Sequence, residues 1–563
     1  MIQKFQNQCL QAYIYLTYFC AFPLLAFCIA LTPFASSEQR GICFLGAILL
    51  TAGIGIYPYI KKLFEKRISL ALFPLILFSA ICLRLSFFPY ISRDFINFLH
   101  PWIEKMSMIG WPYELAFPIT NYNLLYTYVL AGISHIPFSD LYLIKSVSVV
   151  FDCILGITLL TILKRCLHLN DWLALGGSAL VLLAPSLLLN SAAWGQCDSL
   201  YTALALIGIY LCIQESPWKG CLCLGIALAL KLQAVFLFPV LIILLFYKEI
   251  RVQHLLVIPI VYVVCALPAA FLGRPIWDIL TIYGTQIGTY DALTQSAPTL
   301  WAIFPAQLYT NLLPVALCSA GLIVMLMTFG ILLLRPIKNK LDFLDVAFIY
   351  TLVMPYVLPK MHERYFYIAT ALSVIYLFRY PKLWWVTIGI MLIDACAYFP
   401  YLFGFSVIPL PWLSLGLLLI IIKVILHFFS TPQAIEIDQT GSTKAKPTII
   451  AFVGLLLGVL MSAYGTVFML NLSIPPKTWW YQPHTFHPYW LPKSNIIQAQ
   501  HPHWRADLLR FSDTKLVHIA NMDIADIVYF DEKTMTLHWL NGPTEKFIKT
   551  KDDIYTFQGK VNK

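Results

Sequence analysis

Apolar residues run through this chain in blocks too long and too unbroken to be single faces of soluble helices. Blocks at 10–32, 42–60, 69–89, 141–163, 172–190, 198–213, 219–231, 233–247, 254–272, 311–334, 342–358, 366–378, 383–400, 411–428 and 448–470 are apolar almost throughout. A helix that crosses a bilayer needs about 20 such residues, and fewer where part of it is recessed into protein. The pattern predicts an all-α polytopic membrane protein with about 13–15 transmembrane helices. The stretch 219–247 is too long for one span and too short for two. It reads as two half-length helices meeting in a turn near Lys231. The period changes in the tail. Asp526–Leu540 alternates apolar and polar positions around a turn at Asp531–Thr534, and Glu545–Gln558 repeats the alternation, which is a hairpin signature. The chain therefore divides into a transmembrane domain, 1–470, and a small β-rich domain, 471–563. No internal repeat is visible, which disfavours transporters built from duplicated halves.

Composition sharpens this reading. Of 563 residues, 60% are hydrophobic and only 12% charged, against roughly 25% charged in soluble domains. Several water-facing globules, a disordered chain and a cytosolic enzyme are all excluded. The 38 basic and 28 acidic residues could indicate a nucleic-acid partner, but their distribution argues for none. The tail from Asn471 holds 11 basic and 9 acidic residues, leaving 27 and 19 for the first 470. Those basic residues sit in alternate loops: Lys4, Lys61/Lys62/Lys66/Arg67, Lys164/Arg165, Lys219, Lys248/Arg251, Arg335/Lys338/Lys340, Arg379/Lys382 and Lys444/Lys446. Positive loops face the cytoplasm. The loops 90–140, 191–199, 273–310 and 359–365, the turn at Lys231 and the tail are then expected outside. Of 14 cysteines, most lie inside apolar runs and none follows Asn471, so they read as small hydrophobes, not a disulfide framework. The apolar run from Leu10 is long for a signal peptide and suits a first span.

Uncommon polar residues gather in the outward loops, where charges beside apolar helices are costly and usually functional. The first group is Ser92-Arg93-Asp94-Phe95, followed by His100-Pro101-Trp102 and Glu104-Lys105. Asp94 reads either as a partly desolvated general base for a hydroxyl proton or as the N-cap of an interfacial helix over 95–108. In Trp194-Gly195-Gln196-Cys197-Asp198-Ser199, Trp194 offers a ring face for a pyranose and Asp198 a hydroxyl partner. The alternative is a helix cap beside an interfacial tryptophan. Lys231 has no acidic neighbour in sequence and calls for an anion such as a lipid-linked phosphate, unless it snorkels to the interface. In Lys360-Met361-His362-Glu363-Arg364-Tyr365, Arg364 or His362 could hold a departing phosphate, with Glu363 positioning Arg364; the bland alternative is a solvated loop. Arg274 and Asp291 are weaker candidates in the long 273–310 loop. The tail histidines His484, His487, His501 and His503 fit no zinc spacing. With Trp479, Trp480, Tyr481, Tyr489 and Trp490 they read as a segment on the headgroup layer. No phosphate-cradling glycine loop or nucleophile elbow is present.

Arg93-Asp94-Phe95 with Pro101-Trp102, Trp194-Gly195-Gln196-Cys197-Asp198-Ser199, Leu230-Lys231-Leu232-Gln233 and Met361-His362-Glu363-Arg364-Tyr365 together resemble the GT-C superfamily of integral-membrane glycosyltransferases, in particular bacterial relatives of the GPI mannosyltransferases. The likeness covers roughly residues 70–400. It implies a GT-C-like fold, a catalytic aspartate at Asp94, and inverting transfer of mannose or another hexose from a polyprenyl-phosphate donor to a hydroxyl of a glycan, lipid or protein acceptor. Under it, Lys231, Arg364 and His362 would bind the donor phosphate, and Trp194, Gln196, Asp198, Glu104 and Glu363 the sugar or acceptor. Some relatives carry two acidic residues in or near the first motif; here the second would be Glu104. A lipid phosphate is a good leaving group, so no cofactor is required, and a divalent metal is admitted without being indicated. Membrane lipids are the other expected partners, and the expected location is a bacterial inner membrane with the site and C-terminus on the periplasmic side. Two other readings stay open: a lipid-glycan transporter or flippase, and a glycan polymerase or ligase using a diphosphate-linked donor.

Overall fold

In a computed structural model the structure describes residues 37–287, 290–337, 339–430 and, in the tail, 496–501, 504–510, 515–518, 524–531, 533–539, 543–550 and 554–561. The expected spans at 10–32 and 448–470 and the aromatic segment at 479–490 lie outside the described residues. Among the described residues helix dominates up to Ser430 and strand from Ile496 on, as the change of period predicts.

Among the described residues six helices are long and apolar enough to cross a membrane: Arg67–Leu85, Asp140–Arg165, Val252–Phe271, Ala306–Leu334, Pro381–Phe403 and Leu410–Ser430. A seventh is reached if the bent pair Asp171–Leu183 and Pro185–Trp194 counts as one span. This count is of the described residues and by length and composition alone, with shorter apolar helices beside it. Asp198–Ile213, Pro217–Leu230 and Leu232–Phe246 are helical where expected but only 10–17 residues long, and Asp342–Val357 is 16 residues. Their side chains are largely buried in protein. Apolar composition answers protein interior and lipid alike, so length decides between them.

The chain forms two compact units. The first comprises Met1–Asn97, Pro137–Val263 and Ile287–Ser473; the second comprises Phe98–Ile136, Val264–Gln286 and Ile474–Lys563. The second unit thus takes in parts of the loops 90–140 and 273–310 besides the tail. The 273–310 loop is shared between the units.

Within the first unit, sequence punctuation explains where helices break. The half-helix pair is as expected: Pro217–Leu230 ends at Lys231, whose backbone is extended, and a 3-10 turn Leu232–Leu237 leads into Phe238–Phe246. The block 172–190 is not one helix. Pro185 cannot donate to the preceding turn, so the chain bends by 52° there. A π-helical segment, Leu189–Trp194, then ends at Gly195, which has φ of 78°. Beneath this bend lies a dry polar knot. Asp152 accepts from Arg84 Nε at 2.7 Å, Ser191 Oγ at 2.5 Å and Tyr367 Oη at 2.8 Å, and Arg84 Nη1 also donates to the Leu182 carbonyl at 2.7 Å. A buried ion pair with its remaining donors satisfied can be held in an apolar interior.

In the second unit, Leu124–Ser134 packs on the segment from Val264: Leu124, Ala266, Ala269, Ile279 and Ile282 form one cluster. Tyr128 Oη donates to the Cys265 carbonyl at 2.9 Å and accepts from Ala269 N at 3.2 Å. The tail is a closed barrel of the strands Ile496–His501, Trp504–Arg510, Lys515–His518, Ile524–Phe530, Thr534–Trp539, Thr544–Lys549 and Tyr555–Lys560. Neighbours in sequence pair antiparallel, and a parallel first–last pairing at Ala499↔Tyr555 closes it. Ala499, Leu508, Leu516, Ala525, Met535, Leu537 and Phe547 fill it. The expected turn is present, with Asp531 Oδ1 accepting from Lys533 N and Thr534 N.

Candidate functional site

The site belongs to the first unit and assembles from four chain segments far apart in sequence, to which the end of the Trp384–Phe403 helix adds Tyr401. The first leaves the Arg67–Leu85 helix and is pinned by Lys145, whose buried ammonium donates to the carbonyls of Phe87, Phe88 and Tyr90 at 3.0, 2.9 and 2.6 Å. Ser92 then caps the turn that follows: its hydroxyl accepts from Phe95 N at 3.2 Å and donates to the Trp194 carbonyl at 2.8 Å. Because Ser92 takes the cap, Asp94 does not, and its carboxylate is left to side-chain partners. Oδ2 accepts from Trp194 Nε1 at 2.9 Å and Gln196 Nε2 at 2.5 Å, and Oδ1 from the Tyr401 hydroxyl.

The second segment is the left-handed turn at Gly195. It aims Gln196 at Asp94 while Ser148 Oγ holds the Gln196 carbonyl at 2.7 Å. Asp198 begins the next helix, but it too serves a side chain. Oδ1 accepts from Lys231 Nζ at 2.5 Å and Oδ2 from Asn190 Nδ2 at 2.9 Å. The third segment is the helix break at Lys231, and the fourth is the loop 360–366. A short parallel pairing holds that loop to residues 294–295, with Gln295↔His362 in register and Lys360 N donating to the Leu293 carbonyl at 2.7 Å.

Arg364 joins these segments. Its Nη1 lies 3.9 Å from Asp94 Oδ2, its Nε 3.8 Å from Asp198 Oδ2, and its guanidinium 5.2 Å from the centre of the Trp194 ring. Asp94, Arg364 and His362 keep 15%, 12% and 17% of their side chains exposed, whereas Asp198 keeps none. The reachable rim is therefore Asp94, Arg364 and His362, with Trp194, Gln196, Asp198 and Lys231 as a buried floor.

Several roles read from sequence change here. Lys231 does have a counter-ion, 33 positions away, and Arg364 lies within 4 Å of Asp94. Asp198 has both oxygens engaged, by Lys231 and Asn190. Trp194 has no face for a pyranose: it is buried, stacked on Tyr401 at 4.7 Å and 21°, met edge-on by Tyr398 at 5.3 Å, and roofed by Arg364. It serves as a clamp on Asp94. Gln196 is likewise buried against that carboxylate. His362 sits between Tyr290 and Tyr365. Burial and then the Arg364 and Lys231 charges lower its pKa against the opposing pull of Glu363, which disfavours its charged form. The Glu363 carboxylate approaches His362 Nδ1 at 3.8 Å, while the acidic neighbours of Arg364 are Asp94 and Asp198. Glu104 is exposed on the His100–Ile109 helix of the second unit, and Arg274 is buried in that unit. Asp291 accepts from Tyr309 Oη at 3.3 Å. Among the described residues no group of three or more His, Cys, Asp or Glu could hold a metal ion.

Sequence reasoning missed Tyr401, Tyr398 and Asn190. The two tyrosines end a long apolar helix, where aromatic residues ordinarily mark the headgroup layer, so their type carried no distinguishing signal. Asn190 lay inside a block read as a plain span, and only Pro185 hinted that the helix breaks before it.

Fold and site together define a helical protein compatible with the membrane that carries a partly open Asp–Arg rim over a buried ionic floor. No model of a known protein family matches the chain, and it has no significant match among curated proteins.

Proposed function

We propose that this protein is an inverting glycosyltransferase of the GT-C kind. It moves a hexose from a polyprenyl-phosphate lipid to an acceptor hydroxyl on the outer side of a bacterial inner membrane. The observation that carries the reading is the Asp94–Arg364 rim: a reachable carboxylate and a reachable guanidinium 3.9 Å apart, brought together from residues 270 positions apart (364 − 94). Asp94 takes the proton of the acceptor hydroxyl. The oxygen attacks the anomeric carbon from the face opposite the phosphate, and the bond from that carbon to the phosphate oxygen breaks. Arg364 receives the charge that grows on the departing phosphate. The acceptor hydroxyl enters where the Tyr401 hydroxyl now reaches Oδ1. Lys231 and Asp198 neutralise each other and keep Arg364 aimed, so their part is positioning. The incoming phosphate shares Arg364 with two carboxylates, which favours a monoanionic diester donor over a more highly charged diphosphate.

The experiment is a transfer assay with the purified protein in detergent, offering polyprenyl-monophosphate hexoses and pentoses beside diphosphate-linked glycans. The expected result is turnover with a monophosphate donor. Turnover with diphosphate donors alone would move the protein to the polymerase or ligase class. The buried Arg84–Asp152 pair is the feature that favours a transporter, and a transporter would give no transfer or donor hydrolysis in detergent.

A further inference from the structure

The first unit carries a second charged feature at the other end of the Arg67–Leu85 helix, whose 19 residues span about 28 Å. Here the end of Ser37–Lys61, the start of Arg67–Leu85, the end of Asp140–Arg165 and the start of Asp171–Leu183 surround a cavity of about 280 Å³. Its charged lining is Lys62, Glu65, Lys164, Arg165 and His168, over an apolar wall of Leu63, Phe64 and Leu169. Two turns frame it, fastened by Asp171, whose carboxylate accepts from Glu65 N at 3.4 Å and Lys66 N at 2.9 Å and pairs with Lys164 at 2.8 Å. Glu65 also lies 3.3 Å from Lys164. Lys164 is thereby neutralised. Lys62, Arg165 and His168 make no ion pair with a carboxylate among the described residues, and Arg165 is held 5.0 Å over the Tyr59 ring.

We propose that this cavity binds the phosphate of an anionic phospholipid in the leaflet opposite the Asp94 site. Three features select a lipid phosphate. The cavity stands at helix ends, the level of the headgroups, and exposed Trp172 beside Asp171 marks the same layer. The Arg67–Leu85 helix below it exposes Ile68, Leu75 and Phe78, an apolar track for acyl chains. Exposed Lys61, Lys66 and Arg67 flank the lining residues 62–65 in the chain, and clusters of basic residues at membrane-helix ends attract anionic headgroups.

The test counts lipid retained by the full-length protein in neutral detergent, using native mass spectrometry. Phosphatidylglycerol, phosphatidylcholine and inorganic phosphate are the probes. Against wild type stand the Lys62→Ala/His168→Ala double variant and Glu65→Gln, which removes the carboxylate lining the cavity and leaves its cations in place. The double variant should retain about tenfold less phosphatidylglycerol, with phosphatidylcholine unchanged and inorganic phosphate failing to displace the lipid. Glu65→Gln should retain more phosphatidylglycerol than wild type, and it decides the matter even if the double variant does not fold. Equal retention of phosphatidylglycerol in wild type and Glu65→Gln overturns the proposal. Displacement by millimolar inorganic phosphate would assign the cavity to a free anion and overturn it as well.

Discussion

Asp94 is held by three side-chain donors from two distant segments, and the residues around it divide into those that touch this carboxylate and those that keep them in place. Lys231 and Asp198 belong to the second kind. Removing one partner of a buried ion pair leaves the other charge unsolvated and costs about 3–5 kcal/mol. Lys231→Met and Asp198→Leu should each lower the melting temperature markedly in detergent, and the double variant should recover most of the loss. An additive double variant would show that the 2.5 Å contact does not couple them. His362 gives a pH prediction. Its pKa in the folded protein lies below the ordinary value of 6.5, so the unfolded chain binds the proton first and stability falls as pH drops below that value. His362→Gln should flatten the decline in melting temperature between pH 7 and 5, read by thermal denaturation. At this scale the sequence disclosed which residues are unusual but not what they do. Trp194, Gln196 and Asp198 stood out as a polar group between apolar blocks, yet the Lys231 partner lay too far along the chain for any local pattern to supply it.

The elements that set these residues are broken helices. Such breaks survive at membrane depth only where protein covers the freed backbone groups. The break at Lys231 was legible because its block fits neither one span nor two. The bend at Pro185 and the π-helical turn after it were not read, although the proline was a visible signal, because the apolar run continues through it unchanged. Gly195 closes that turn at φ of 78°. A side chain there has room, its nearest neighbours being Ile144 and Lys145 at 3.7 Å, so the cost of Gly195→Ala is conformational, about 1–2 kcal/mol. The variant should fold, with a modestly lower melting temperature. It should lose transfer activity by tenfold or more, because Gln196 and Trp194 would no longer both reach Asp94. Unchanged activity would mean that the turn does not set the site.

Within the first unit, the Asp94–Arg364 rim and the basic cavity lie toward opposite ends of the Arg67–Leu85 helix. The barrel is a separate design in which one alternating pattern closes on itself through the Ala499↔Tyr555 pairing; its hairpins were readable from period 2, its closure was not. Short buried helices and lipid-facing ones have the same composition, so apolar blocks alone do not count the spans. The most direct measurement of the central claim is single-turnover transfer by Asp94→Asn alongside donor binding by the same protein. This isosteric change keeps an acceptor oxygen for Trp194 and Gln196, turns an amide NH2 toward the Tyr401 hydroxyl and removes the base, so donor affinity should stay within a few-fold while the rate falls by 10²–10⁴. Transfer at the wild-type rate with the donor bound normally would contradict the assignment of Asp94 as the base.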